Sequence, residues 1–142
     1  MNDIIDWNSC KEEFIKEVEP DPSKINAIVW AAELRLKFIK EVSVNQNNVS
    51  FVVEGYYEVT KELLIALLLS KGLRSKNHQC LISYFYYKYP DYEAESYLIS
   101  QMSYLRNRLG YYGEPIEIDF YKKNKEKFEN VIQLLRSLIK KA

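Results

Sequence analysis

The stretch ELLIALLLSKG, residues 62–72, decides the fold of this chain. Its residues 63–69 would be apolar on every side of a helix, which is typical of a helix that several neighbours cover. Gly72 follows as a residue that readily takes the left-handed conformation at a helix C-terminus. The stretch therefore predicts that a helix over about Val49–Lys71 lies at the centre of the molecule.

Five further helices are predicted on either side of the central one, most of them from apolar residues that recur at three- and four-residue steps. Their expected ranges are Cys10–Val18, Pro22–Val42, His78–Tyr89, Tyr92–Leu109 and a last helix from Ile118 or Asp119 to the end of the chain. The predicted N-caps are Asn8 or Ser9, Asp21, Asn77 and Asp91. No strand is expected, and only residues 49–53 are ambiguous.

Two details of the fifth helix matter for the function. Its buried side is expected to carry the apolar residues Ala94, Leu98, Met102, Leu105 and Leu109. Gly110 and Gly113 flank a pair of tyrosines, and these glycines are expected to break the helix and expose backbone donors. The sixth helix then follows.

The scarcity of turn residues fixes the class of fold. Only four glycines and four prolines occur in 142 residues, which favours few and long elements over a sandwich or barrel. We therefore predict one all-α domain over residues 1–142, an up-and-down antiparallel bundle of four long helices with one or two short ones. Residues 1–48 supply its N-terminal helices.

The charge and hydropathy of the chain limit how it can bind RNA or a membrane. Charged residues make up 28% of the chain and balance to zero, so RNA would have to bind at a local patch. No uncharged apolar run is long enough to span a membrane. The first ten residues, MNDIIDWNSC, lack the basic start and apolar middle of a signal peptide. These features predict a cytoplasmic protein that does not enter a membrane.

The two cysteines, Cys10 and Cys80, lie far apart in sequence and have no neighbouring Cys or His at a metal-binding spacing. No metal site and no cofactor are predicted. The expectation is two buried or half-buried free thiols. A disulfide between them is expected mainly if the source is a hyperthermophile.

Three segments, in this order, resemble a HEPN domain, a small prokaryotic helical module. The first is an aromatic and acidic stretch that leads into the leucines, the second ends one helix with a glycine and starts the next with a histidine, and the third contains an arginine followed by a small polar residue. They are Gly55–Leu68, Lys71–Leu81 and Tyr104–Gly113. The resemblance covers residues 49–142 and implies a HEPN-like bundle.

The resemblance also implies a site. In catalytic HEPN proteins the Arg of the third segment, four intervening residues and a His support metal-independent RNA cleavage. Here Arg106 and Asn107 match this pattern, but Tyr111 occupies the His position. A phenol is a poor base near neutral pH because its pKa is about 10. The usual ribonuclease chemistry is therefore not expected, although Arg106 and Tyr111 remain the catalytic candidates.

The predicted ligand-binding residues surround Arg106, because a guanidinium pairs well with phosphate oxygens. They are Arg106, Asn107, Arg108, Glu58, Tyr111, Tyr112 and His78. Each also has an ordinary structural interpretation: Arg106 can be a surface ion-pair partner, Glu58 a solvated charge and His78 a packing residue at a helix start. The many tyrosines of the fourth and fifth helices can equally build the core or an interface.

Three functions follow, in order of preference. The first is a noncatalytic HEPN-like module that binds a nucleotide, RNA or a partner protein, and the resemblance implies a minimal nucleotidyltransferase as that partner. The second is an active metal-independent ribonuclease toxin of a toxin–antitoxin pair, with Tyr111 or His78 assisting Arg106. The third is a structural module that homodimerises. A homodimer is expected in any case, through residues 106–113 and the aromatic fourth and fifth helices.

Overall fold

A computed structural model describes residues 3–141 as six α-helices and one small two-stranded sheet. The helices are α1 (Trp7–Glu13), α2 (Pro22–Lys40), α3 (Val49–Ser70), α4 (His78–Lys88), α5 (Glu93–Tyr112) and α6 (Ile118–Lys140). The strands are β1 (Ile15–Glu17) and β2 (Leu73–Ser75), and a 3₁₀ turn over Pro90–Tyr92 precedes α5. The predicted all-α class is confirmed, with four long helices and two short ones.

The helix α3 occupies the centre, as its sequence predicts. The helices α2, α4, α5 and α6 all pack against it. Four leucines of its second half are at most 1% exposed, namely Leu63, Leu64, Leu67 and Leu68. Each such side chain contributes roughly 1.5–3 kcal/mol through burial. Gly72 then adopts a φ of 74° and ends the helix in the left-handed conformation.

The contact between α2 and α3 depends on one glycine. A Cβ atom at Gly55 would lie 2.7 Å from Cδ1 of Ile39, so the missing side chain lets the two helices approach. Farther along the same contact, Nε of Arg35 lies 2.8 Å from Oε1 of Glu62. Together these contacts fix the edge of α3 that carries its acidic residues.

The expectation of no strands is wrong, and so are the bounds of the first helix. β1 pairs antiparallel with β2, with Ile15 opposite Ser75. As a result α1 ends at Glu13, and it begins earlier than predicted because the carboxylate of Asp6, rather than Asn8 or Ser9, accepts the N-terminal hydrogen bond. The end of α3 brings β2 beside residues 15–17, and this tertiary pairing overrides the local helical periodicity.

The expectation of free thiols is also wrong. Cys10 of α1 and Cys80 of α4 form a disulfide, with a Cα–Cα distance of 5.6 Å, and both residues are fully buried. The packing of α1 on α4 brings them to bonding distance. The hydroxyl of Ser83 also donates to the carbonyl oxygen of Ile5 at 2.6 Å, so the N-terminal segment is held to α4 at two points.

The helix α5 is longer than predicted. It continues through Gly110 to Tyr112 and ends only at Gly113, where φ is 65° and the amide donates to the carbonyl oxygen of Leu109. The predicted break at Gly110 is therefore wrong, because a glycine keeps its backbone donor and the helical hydrogen bonds continue. Asp91 lies within the 3₁₀ turn, and α5 has no side-chain cap at its start.

The buried face of α5 differs from the predicted one. Of the five residues expected inside, Met102 is fully buried, Leu98, Leu105 and Leu109 pack against the core while partly exposed, and Ala94 is exposed. The inward face instead carries a set of small polar residues and one isoleucine, namely Ser96, Ile99, Ser100 and Ser103. Small side chains allow close packing against α3 and α4. Ser103 and Arg106, one turn apart, lie on the side of α5 that faces α3.

Candidate functional site

A cavity of about 250 Å³ lies where α3, the start of α4 and the second half of α5 meet. Its lining is polar and comes from all three elements: Tyr57, Lys61, Asn77, His78, Gln79, Ser103, Arg106, Asn107 and Tyr111. Four of the residues predicted from the sequence therefore meet at one place, namely Arg106, Asn107, Tyr111 and His78. Residues 28 positions apart in sequence reach the same cavity because α4 and α5 are neighbours.

The guanidinium of Arg106 is held between two carboxylates of α3. Its Nε lies 4.0 Å from Oε2 of Glu54, and its Nη2 lies 3.7 Å from Oε1 of Glu58. Both distances exceed that of a hydrogen bond. Nε is buried and has no hydrogen-bond partner within the described part of the chain. The carboxylates thus attract the guanidinium without a hydrogen bond to Nε, and the Arg106 side chain still belongs to the cavity lining.

The charged residues that line the cavity are both cations. Lys61 reaches it from α3 and its Nζ lies 2.7 Å from Oε2 of Glu58, while Arg106 reaches it from α5. Glu54 and Glu58 do not belong to the lining, so they stabilise the two cations from outside the cavity. Two cations that face a polar cavity favour an anionic occupant.

His78 adds an uncharged imidazole to the cavity. It begins α4, whose cap is Asn77, and the Asn77 side chain accepts a hydrogen bond from the Gln79 amide at 2.8 Å. Partial burial lowers the pKa of His78 below its ordinary value, and the positive charges of Lys61 and Arg106 lower it further, although Glu58 opposes them. The imidazole is therefore neutral near pH 7.

A hydrogen-bonded group forms the cavity wall between the helices. The amide of Gln79 donates to Oγ of Ser103 at 2.8 Å, and Ser103 is also hydrogen-bonded to the phenol of Tyr57. Burial raises the pKa of Tyr57 above its ordinary 10, so this phenol stays protonated. The group connects α3, α4 and α5 along the wall of the cavity.

The sequence does not single out five of the lining residues, which are Tyr57, Lys61, Asn77, Gln79 and Ser103. For some of them, helical spacing from a predicted site residue was a usable signal. Lys61 lies one turn after Glu58 and Ser103 one turn before Arg106, so each shares a face with a predicted site residue. That periodicity was the available signal, but it does not say which face meets another helix.

Arg108 and Tyr112 lie outside the cavity. Nε of Arg108 forms a hydrogen bond with the carboxylate of Glu114. Its guanidinium also stacks over Tyr112, 4.9 Å from the ring centroid. Because the two arginines are two residues apart on one helix, they point to different sides of it. Tyr111 is 76% exposed and stands at the rim of the cavity.

Within residues 3–141 no three His, Cys, Asp or Glu side chains are arranged to hold a metal ion. None of the helices in that range has the length and apolar character that crossing a membrane requires. Comparisons with protein-family models, with curated proteins and with solved structures find no match for this chain. The HEPN resemblance therefore stays a prediction.

Proposed function

We propose that the cavity at Arg106 binds a phosphate group of a nucleotide or of RNA. The observation that carries this proposal is the pair of cations, Lys61 and Arg106, that line one polar cavity. A guanidinium donates parallel hydrogen bonds to phosphate oxygens, and an ammonium adds a point charge. The side chains of Asn107 and Gln79 offer further donors.

The size of the cavity limits what it encloses. At about 250 Å³ it is smaller than the roughly 300–1,000 Å³ of pockets that enclose a drug-sized ligand. A phosphate and part of the adjoining sugar fit this volume, and the base would remain outside. The exposed ring of Tyr111 at the rim offers a surface on which a base can stack.

Glu54 and Glu58 have two opposite effects on such a ligand. They repel a phosphate, which lowers the affinity, and they hold the cations in place before the ligand arrives, which lowers the cost of ordering them. Glu58 contacts both Lys61 and Arg106, so it fixes their relative position. We therefore expect moderate affinity that falls as salt rises.

The test compares two arginines of the same helix. We expect Arg106→Ala to weaken the binding of AMP or of a 5′-phosphorylated RNA oligonucleotide about 10- to 100-fold, because a charge-assisted hydrogen bond contributes roughly 1.5–3 kcal/mol. Arg108→Ala is the matched control, since Arg108 pairs with Glu114 outside the cavity. Isothermal titration calorimetry measures both, and unchanged helical circular dichroism verifies the fold.

Equal losses for the two variants would contradict a specific site and indicate general charge attraction. Absence of binding by the wild type to AMP, to inorganic phosphate and to the RNA would remove the proposal. Removal of the phosphate from the same oligonucleotide should reduce binding at least as strongly as Arg106→Ala does, because the phosphate also loses its attraction to Lys61.

A second candidate function is metal-independent RNA cleavage, which the neutral His78 imidazole in the same cavity favours. A neutral imidazole can accept the proton of a ribose 2′-hydroxyl, and the two cations can stabilise the charge that develops on the phosphate. His78→Gln should then abolish cleavage in the presence of a chelator while phosphate binding persists. Cleavage that survives both His78→Gln and Arg106→Ala would indicate a contaminating nuclease.

Membership of the HEPN family, and with it a minimal nucleotidyltransferase partner, rests on the resemblance alone. A cytoplasmic location is part of the same proposal. The Cys10–Cys80 bond bears on it, because structural disulfides inside cells occur chiefly in hyperthermophiles. A cytoplasmic location therefore goes together with a source organism of that kind.

A further inference from the structure

The outer face of α2 carries an apolar stripe, formed by Ala27, Trp30, Ala31, Leu34 and Phe38. The exposed fractions of its large side chains are 63% at Trp30, 48% at Leu34 and 70% at Phe38. Both alanines are also exposed. The side of α2 that packs on the core is a different one, with Ile25, Ala32 and Ile39 buried. The helix therefore has two apolar faces, of which one is covered.

The helix α6 shows what an outer face normally looks like in this molecule. Its exposed positions carry lysines and glutamates, among them Lys122, Lys123 and Glu126. An amphipathic helix of that kind needs one partner, whereas a helix that is apolar on opposite sides is covered on both. The outer side of α2 is therefore expected to have a partner of its own.

The area of the stripe agrees with this expectation. Aromatic side chains bury about 150–250 Å² each, so Trp30, Leu34 and Phe38 together present roughly 350 Å² of apolar surface. This value lies in the range of about 300–600 Å² in which the largest patch on a monomer often marks an interface. It is also close to half of the roughly 800 Å² that each partner buries in a standard interface.

The order of residues in the stripe points to a second copy of this chain. An interface between identical subunits with a two-fold axis must be complementary to itself. The stripe meets that condition, because an aromatic residue stands four positions before Leu34 and another four positions after it. A two-fold axis perpendicular to α2 at Leu34 sets Leu34 against Leu34, and it sets Trp30 of each copy against Phe38 of the other.

The flanks of the stripe are compatible with this arrangement. Along one flank Glu33 is neutralised within the chain, because its Oε1 lies 2.8 Å from Nη2 of Arg136. Ala27 and Ala31 lie along the other flank, where small side chains let two helices approach to about 8–10 Å. Arg35, on the same flank as the alanines, is likewise neutralised by Glu62, so no unpaired like charges meet beside the axis at Leu34.

We infer that the chain forms a two-fold symmetric homodimer in which the apolar stripe of α2 packs antiparallel against the same stripe of a second copy. This places the dimer contact on α2 rather than on residues 106–113, where the sequence analysis expects it. Arg106 then remains available to its cavity in each copy.

The first test is the oligomeric state. We expect a dimer for the wild type by light scattering after size exclusion, and monomers with unchanged circular dichroism for Leu34→Glu and Phe38→Glu. These positions are exposed in the single copy, so the variants should fold. Tyr111→Glu and Tyr112→Glu are the controls, since these residues are 76% and 71% exposed and lie in the alternative interface. Both controls should stay dimeric.

The second test does not depend on disruption. Leu34→Cys introduces a free thiol into a chain whose two cysteines are bonded to each other. At a two-fold axis this thiol meets its own copy, so mild oxidation should crosslink the dimer on a non-reducing gel. Tyr112→Cys, as the control, should not crosslink. A monomeric wild type, or a dimer lost in the Tyr111 and Tyr112 variants but kept in the α2 variants, would overturn the inference.

Discussion

Arg106 shows how one side chain acquires a role from its neighbours. The sequence places it near the end of α5, next to a small polar residue, and from this we expected a guanidinium aimed at a cleft. The structure places it in a cavity, because Ser103 one turn earlier is small and buried and brings this side of α5 close to α3. The structure also pairs Arg106 with Glu54 and Glu58, and the spacing of residues in the sequence does not establish this contact.

His78 was predictable as a helix-start residue, because Asn77 before it is a good cap. Its meeting with Arg106 was not predictable, since it depends on how α4 and α5 pack. The serines of α5 are the clearest case of residues whose burial could not be predicted. Ser96, Ser100 and Ser103 are buried, but in a sequence they indicate a polar surface, and they therefore misled the choice of the inner face.

The lowered pKa of His78 predicts a specific dependence of stability on pH. As pH falls through about 6.5, the unfolded chain takes up a proton that the folded chain still refuses, so the free energy of unfolding decreases. Well above that pH both states are neutral and the contribution vanishes. We expect the wild type to lose more stability than His78→Gln between neutral pH and about pH 5, as measured by chemical denaturation.

The chain offers an internal check, because His78 is its only histidine. Its imidazole gives a single set of proton resonances, whose titration reports the pKa directly. A midpoint at or above the ordinary value of about 6.5 would contradict the proposed environment. Removing the positive charge with Lys61→Met should move the midpoint upward, because Lys61 is one of the two cations that lower it.

At the scale of elements, the helices of the bundle were largely predictable and their connections to α1 were not. Apolar periodicity and the caps at Asp21 and Asn77 place α2, α3, α4 and α6 within a few residues. The short strands could not be predicted, because three residues such as Ile15–Glu17 carry no periodicity that can be distinguished from a helix end. Their pairing with β2 depends on where α3 ends in space.

The disulfide between α1 and α4 predicts how much stability the fold loses without it. It closes a loop with a sequence separation of 70 residues, and such a crosslink stabilises the fold by about 4 kcal/mol through the entropy of the unfolded chain. We expect the double variant Cys10→Ser, Cys80→Ser to lose roughly that amount in guanidinium denaturation, and the reduced wild type to behave in the same way. A double variant as stable as the oxidised wild type would contradict a stabilising role of the bond.

At the scale of the whole molecule, the leucine-rich stretch was the most reliable guide. A helix that is apolar all round must be central, whatever the details of its neighbours, and α3 is central. The apolar stripe of α2 obeys the same rule, but the apolar residues of α2 at three- and four-residue steps predict a single buried face. The second face becomes visible once the structure shows which side packs on α3.

The central position of α3 predicts cooperative unfolding. Leu67 is fully buried among the helices that pack on α3, so Leu67→Ala should lower the free energy of unfolding by about 3 kcal/mol. Leu105→Ala on α5 is the matched control, and its partly exposed side chain should cost clearly less. Circular dichroism and tryptophan fluorescence should give coincident transitions. Equal losses for the two variants would contradict a core centred on α3.

The central helix also has a consequence for synthesis on the ribosome. Tyr56 of α3 packs against Phe128 of α6, with ring centroids 5.4 Å apart. Translation proceeds at about 5–20 residues per second, so roughly 70 further residues take several seconds to emerge. During that interval the nascent chain displays the most apolar surface of the protein without its cover, which makes α3 the segment that a chaperone would meet first.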